Sequence, residues 1–323
     1  RRSSPYLMAI LYDEKSGLST GKKNFFARCG KIRRKKLIKK RESVIIGVKK
    51  TGGREQMEIG ISTASLFMRQ YNEDAVQTIN GLGVGTCEVF LETFREYRRE
   101  YGELINEKKG TLNVNSVHLF TTSIEPQLFS DNDRTKGDAM YFLDRAMDAA
   151  NAFGAKYYTF HGTARYKKAS RSGANDNFDK IAAAIEDARV LCEKHGVALS
   201  LETVEWSTYN RPGVFGEISA RCPALYATPD IKQIRLSGYP ESEYFKEIAG
   251  HISHVHVSDI NEDGKTCLPG KGTYDFDSLF SRLADTGFDG AVLIEAYKDD
   301  YKEIAELKDS ADYLKEILYK RGF

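Results

Sequence analysis

From Met57 onward, eight short apolar runs alternate with segments whose apolar residues recur every three or four positions. The runs cover 58–63, 86–91, 114–120, 156–161, 198–203, 225–229, 253–258 and 290–296. Several are apolar almost throughout, such as Val197-Ala-Leu-Ser-Leu201 and Ala291-Val-Leu-Ile294. Near-continuous runs of this kind mark strands covered on both faces, as in a parallel sheet. Between them, Phe178, Ile181, Ile185, Ala188 and Cys192 share a helical face over 177–195, with Asn177 and Gly196 suited to cap its ends. The same period predicts helices over 72–81, 136–153, 275–287 and 302–320. Strand and helix alternating eight times predict an α/β chain folded as a (β/α)8 TIM barrel. The 267 residues from Met57 to the end come close to the roughly 250 usual for that fold.

An open nucleotide-binding sheet is the rival architecture, and it needs a glycine-rich turn after its first strand. Here that turn reads Ser62-Thr-Ala-Ser-Leu-Phe67, and the glycines of Gly81-Leu-Gly83-Val-Gly85 precede a strand instead of following one. No apolar run approaches the roughly 18 residues of a membrane span, and the amino terminus lacks signal-peptide features. The expected location is therefore the cytoplasm. Cys29, Cys87, Cys192, Cys222 and Cys267 are scattered and odd in number, so a disulfide framework or a structural zinc site is not expected.

Charge divides the chain. Residues 1–56 hold 17 basic and 4 acidic residues, a net +13, whereas the remainder carries a net −11. The segment 1–56 has no sustained period and reads as a basic, disordered extension ahead of a barrel over 57–323. It could be an arm for nucleic acid or another acidic surface, a targeting peptide, or upstream sequence translated from a mis-assigned start. The last is favoured, because Met57-Glu-Ile-Gly-Ile-Ser opens directly on the first strand.

A barrel gathers its chemistry at the carboxyl ends of its strands. Leu199-Ser-Leu-Glu202, Leu225-Tyr-Ala-Thr-Pro-Asp230 and Val292-Leu-Ile-Glu295 each end a run in a carboxylate, and His254-Val-His256-Val-Ser-Asp259 closes the seventh. Taken singly, Glu202 could answer a basic side chain and His256 could be a hydrogen-bonded core residue. Three carboxylates and an imidazole at matching places on four consecutive strands would repel one another unless a cation sat among them. Glu202, Asp230, His256 and Glu295 are thus the expected ligands of one divalent metal ion, with Mn2+, Mg2+, Co2+ and Zn2+ all suited to the donor set. His118 and His161 end the third and fourth runs and face the same mouth, where they could meet substrate hydroxyls or a second metal. Trp206 could form a stacking wall beside Glu202, and Lys271 in Gly270-Lys-Gly272 could meet a phosphate. His195 and His251 are expected to be solvated surface residues.

Five segments, in this order, resemble the xylose-isomerase-like TIM-barrel superfamily of sugar isomerases and epimerases, whose relatives include the apurinic endonucleases and inosose dehydratases. They are Leu199-Ser-Leu-Glu-Thr203, Ala227-Thr-Pro-Asp-Ile-Lys-Gln233, His254-Val-His-Val-Ser-Asp259, Leu268-Pro-Gly-Lys-Gly-Thr-Tyr-Asp-Phe276 and Val292-Leu-Ile-Glu295. The resemblance spans Met57 to the end and carries the family's Glu, Asp, His, Glu metal set onto Glu202, Asp230, His256 and Glu295. It departs at Gln233, where many members have histidine, and at Gly264-Lys-Thr-Cys-Leu268, where the endonuclease branch has an Asp-x-His pair. Gln233 and Asp259 complete the candidate substrate contacts.

The resemblance implies a metal-dependent sugar or sugar-phosphate isomerase or epimerase that works through a metal-bound enediolate, with Glu202 and Glu295 exchanging a proton beside the carbonyl. Transfer on opposite faces gives epimerisation; transfer on one face, or a hydride shift, gives aldose–ketose isomerisation. The partner is then a small sugar or polyol, with no membrane, and a homo-oligomer is compatible with the sequence. The alternatives are an apurinic-endonuclease-like phosphodiesterase, an inosose-dehydratase-like lyase, and a non-catalytic metal- or sugar-binding barrel. The −11 barrel opposes a nucleic-acid substrate.

Overall fold

The computed structural model describes residues 57–120, 124–163 and 177–322. The basic segment 1–56, and with it the expectation of a disordered extension, lies outside the described residues. Eight parallel strands form the centre: β1 (Glu58–Ser62), β2 (Thr86–Leu91), β3 (Asn113–Leu119), β4 (Tyr157–Phe160), β5 (Ala198–Glu202), β6 (Tyr226–Thr228), β7 (His254–Val257) and β10 (Ala291–Ile294). A two-stranded antiparallel hairpin, β8 (Asp259–Ile260) with β9 (Thr266–Cys267), follows the seventh. The sheet order is β6-β5-β4-β3-β2-β1-β10-β7. The remaining gap is bridged by Ser253 N donating to Ala227 O at 3.0 Å and His256 N donating to Pro229 O at 3.0 Å. The result is the nearly closed (β/α)8 barrel that the alternation predicts.

The helices are α1 (Asn72–Gly81), α2 (Arg99–Lys108), α3 (Asp133–Phe153), α4 (Phe178–Lys194), α5 (Val214–Ser219), α6 (Ile231–Ser237), α7 (Glu241–Ile248), α8 (Phe276–Asp285) and α9 (Ala305–Lys320). Asn177 caps α4 as expected, its side chain accepting from Lys180 N at 3.0 Å. The helix predicted over 136–153 starts at Asp133, where Asn132 accepts from the amides of Arg134 and Thr135. Gly102 lets α2 lie directly on α3, since a Cβ there would stand 2.3 Å from Ala149 O.

Two layers of side chains leave the strands. Residues such as Leu199, Leu201, Val255, Val257, Val292 and Ile294 belong to the large apolar core. The alternate residues include Ser62, Glu88, Ser116, Thr159, Ser200 and Thr228, one from each of β1 to β6, all 0% exposed. Buried polar atoms cost stability unless they are hydrogen-bonded. Here they satisfy one another: Glu88 accepts from Ser62 Oγ at 2.9 Å, Ser116 Oγ at 2.8 Å and Thr159 Oγ1 at 2.6 Å, and Ser200 Oγ pairs with Thr228 Oγ1 at 2.7 Å. The barrel therefore has an apolar shell and a polar centre, and the polar centre leads up to the mouth.

Candidate metal centre and substrate cavity

Glu202 is the last residue of β5, Asp230 lies two residues beyond β6, His256 is within β7, and Glu295 directly follows β10. One donor atom from each lies within 4.8 Å of every other. Donors each about 2.0–2.3 Å from a shared ion would meet that condition. His256 Nδ1 stands 2.8 Å from Glu202 Oε1 and 3.4 Å from Glu295 Oε2. Asp230 divides its work: Oδ1 accepts from Gln233 N at 2.9 Å, capping α6, and its second oxygen belongs to the mouth.

So many buried acids demand positive charge. Burial pushes Glu295 upward, yet His256 and His118 hold it well below the usual carboxylate range. Glu202 is lowered in the same way by His161 and His256 against its burial. Asp230 goes the other way. Burial, with Glu202 and Glu295 beside it, raises it to about 6 in spite of Lys232. His118 loses to burial but gains more from Glu295 and Glu88, and is pushed up to about 10. The donor set fits a divalent cation: three hard carboxylates and an imidazole, drawn together where their mutual repulsion needs a counter-charge.

Behind the four stands Glu88, which no motif in the sequence marks. His256 Nε2 lies 3.1 Å from Glu88 Oε1, His254 Nε2 3.5 Å from its Oε2, and His118 Nδ1 3.5 Å from its Oε1. Its one sequence signal is a charged residue in the middle of the apolar run over 86–91.

Three of the four donors, Glu202, Asp230 and Glu295, line a cavity of about 310 Å³, with His256 buried behind them. Phe67, Phe90, Phe120 and Trp206 form its apolar sides, and His118, His161, Lys232, Gln233 and Tyr297 its polar ones. His118 and His161 are where the sequence places them. Their Nε2 atoms lie 2.9 Å apart, and His161 is fixed from behind by Glu125 Oε2 at 3.1 Å. Trp206 stacks over His161 at 6.0 Å with an interplanar angle of 20°. Gln233 faces the cavity while its Oε1 accepts from Glu205 N at 3.3 Å.

Two expected contacts lie elsewhere. Asp259 is buried and turned away from the mouth: its carboxylate accepts from the amides of Ile260, Gly270, Gly272 and Tyr274 at 2.7–3.0 Å. It organises the loop after the β8–β9 hairpin, which begins at this residue. Lys271 borders a separate hollow with Asn261, Glu262 and Asp263. His195 and His251 are partly buried rather than fully solvated; His195 Nε2 meets Asp144 Oδ1 at 2.9 Å, and His251 Nδ1 faces Leu225 O at 3.1 Å. Cys87, Cys192, Cys222 and Cys267 are free thiols. Among the described residues no helix is long and apolar enough to cross a membrane.

A sequence model of the xylose isomerase-like TIM barrel matches residues 76–317, three-quarters of the chain. The protein belongs to that family. It is 23% identical over 201 residues to the L-ribulose-5-phosphate 3-epimerase UlaE of Salmonella typhi, which covers 60% of this chain and 69% of that protein. A D-psicose 3-epimerase of Clostridium cellulolyticum H10, solved with D-tagatose, aligns with a TM-score of 0.66 at 14% identity, over 81% of this chain and 99% of that one. The IolI protein, solved with a bound zinc atom, aligns with a TM-score of 0.65 at 17% identity, over 82% and 99%. At these identities the likeness to the solved structures is one of fold.

Proposed function

We propose that this family member is a divalent-metal-dependent sugar epimerase or isomerase that moves a proton on the carbon beside a carbonyl. The observation that carries the reading is the convergence of Glu202, Asp230, His256 and Glu295, three of which line a cavity of about 310 Å³. A divalent ion bound there would supply a Lewis acid for the sugar's carbonyl and adjacent hydroxyl. The chain's own residues supply the rest. Glu202 and Glu295 flank the imidazole of His256 and are held ionised, as a base must be before it accepts a proton from carbon. Whichever glutamate takes the proton becomes the acid that can return it. The other, ionised like the first, takes up a proton from solvent before it delivers one to the opposite face, the first releases its proton to solvent, and that division of labour inverts the carbon. With Glu88 to accept its Nε2 hydrogen, His256 would ligate through Nδ1 once it gives up the second proton that Glu88 and Glu295 favour on it. Phe67, Phe90 and Trp206 exclude water and cover apolar faces of the ring or chain.

Fold relatives that act on 3-position ketose epimers favour epimerisation over aldose–ketose exchange. The test is turnover in D2O with added Mn2+, using a panel of ketopentoses and ketohexoses, free and phosphorylated. The expected product is an epimer with one deuterium at the inverted carbon. Turnover without any deuterium uptake points to a hydride shift and removes the two-glutamate scheme; no turnover across the panel removes the sugar reading.

A further inference from the structure

Lys232 occupies a place where a lysine is hard to explain as scaffolding. It is the second residue of α6, two beyond the ligand Asp230, and only 5% exposed. Lysines are almost never buried unless paired. Its Nζ stands 3.8 Å from Asp230 Oδ2 and 4.0 Å from Glu295 Oε2. Both separations are close enough for electrostatic attraction and too long for a hydrogen bond. Neither carboxylate therefore takes a hydrogen bond from the ammonium. Instead the ammonium rests over the Tyr297 ring, 4.2 Å from its centroid, and lines the cavity beside the metal centre.

This arrangement works against metal binding taken alone. A protonated lysine cannot ligate, and its charge repels a divalent ion drawn to the same two carboxylates. Its charge is held in place by Asp230, Glu295 and Tyr297, while its N–H donors border the space that substrate would fill. A fixed donor aimed at developing negative charge stabilises a transition state without having to reorganise.

We propose that Lys232 is a catalytic residue of the proton-transfer reaction, its ammonium donating a hydrogen bond to the substrate oxygen that gains negative charge as the neighbouring carbon loses its proton. This rests on the isomerase reading given above. The proton stays on Nζ throughout, and no bond to the lysine forms or breaks. Tyr297 acts as a positioning residue, its ring holding the ammonium at the cavity wall.

The test compares wild type, Lys232→Met and Lys232→Arg by epimerisation kinetics, Mn2+ titration calorimetry and melting temperature. Lys232→Met should lose roughly 10²–10³-fold in kcat, the effect of removing one such donor, while KM changes little. Its Mn2+ affinity should equal or exceed that of wild type, because a repelling charge is gone, and Lys232→Arg should recover part of kcat. A merely structural lysine would lower Mn2+ affinity, melting temperature and kcat together, and that result overturns the proposal. So does wild-type kcat in Lys232→Met. A wild-type protein inactive on every sugar overturns the isomerase reading and this proposal with it. An active wild type with an unaffected Lys232→Met overturns this proposal alone.

Discussion

At the amino-terminal ends of β5 and β6, a cavity of about 440 Å³ lies among Arg189, Glu193, Val197, Tyr226 and His251. At the carboxyl-terminal ends of the same strands lies the smaller cavity, of about 310 Å³, that holds Glu202, Asp230 and Glu295. The larger hollow offers more room and no convergence. Arg189 pairs with Glu186 and Glu193 of its own helix, His251 leans on a backbone carbonyl, and none of the four metal-competent groups among the described residues lies there. At the other end, β5, β7 and β10 and the loop after β6 each deliver one donor to a common point. Volume is therefore a poor guide to chemistry in this fold. All eight strands run in one direction, so only one end gathers the loops and helix starts that can add ligands to what the strands already carry.

If that contrast is right, substitutions at the mouth should matter in a definite order, and one at the far end should not. The largest effect is expected from Glu295→Gln. The amide can still offer an oxygen ligand but cannot accept a proton. Turnover should fall at least 10²–10⁴-fold, the usual range for a general base, while calorimetry still detects bound Mn2+. Retained full activity with metal bound would show that Glu295 moves no proton.

Asp230→Asn should act on metal first. Mn2+ affinity should drop by about tenfold or more, a loss of roughly 1.4 kcal/mol, with activity partly restored by excess Mn2+. In the wild type, Asp230 titrates at about 6 because of its burial and its glutamate neighbours, above the roughly 3.9 of an unfolded aspartate. A ligand must lose its proton to bind, so Mn2+ affinity should rise with pH through about 6 as Asp230 ionises and keep rising beyond it, because, against its burial, Glu88 and Glu295 hold His256 well above the usual imidazole range. For the metal-free protein the sign is reversed. Between about 4 and 6 the folded state holds the extra proton, so Asp230's contribution to stability is full below that window and declines as pH rises through it. Melting curves of metal-free wild type and Asp230→Asn across pH 4–8 would separate this contribution.

Glu88→Gln should cost Mn2+ affinity about 10- to 100-fold, the usual effect of losing a partner that orients a metal-binding histidine, and destabilise the fold by about 1–3 kcal/mol through unmatched buried groups. A variant with wild-type metal affinity would leave Glu88 as a core residue only. His251→Ala, at the wider cavity, should change kcat and Mn2+ affinity less than about threefold, which is under 0.7 kcal/mol. A large loss there would break the contrast between the two ends.

What could be read in the sequence follows from where each signal lives. Leu199, Leu201, Val292 and Ile294 face the helices, so their runs are apolar and the strands declare themselves. Glu202 and Glu295 interrupt such runs at their ends, which is why they stand out. Glu88 does not, because one acid within a strand resembles an exposed position. Its partners Ser62, Ser116, Thr159 and His256 lie 26 to 168 residues away, and only the closed barrel brings them together. Asp259 also follows an apolar run, but the chain turns there into a hairpin and uses the carboxylate on its own backbone. Lys232 was hidden by its place: the first turn of a helix is ordinarily solvated, and nothing in Asp-Ile-Lys-Gln says that this one opens into the barrel mouth. The helices α5, α6 and α7 have 6, 7 and 8 residues, too few turns for an apolar period to repeat. α2 shows only Tyr101, Gly102 and Ile105 to the core.

The central claim is that four side chains at the mouth hold one divalent cation. The most direct measurement is anomalous diffraction at the manganese edge from crystals of the metal-free protein soaked in Mn2+. A single strong peak per chain is expected, roughly 2.0–2.3 Å from oxygens of Glu202, Asp230 and Glu295 and from Nδ1 of His256, and it should weaken in Asp230→Asn at the same sub-saturating Mn2+ concentration. No peak at the mouth, or a peak elsewhere on the barrel that survives that substitution, would contradict the account.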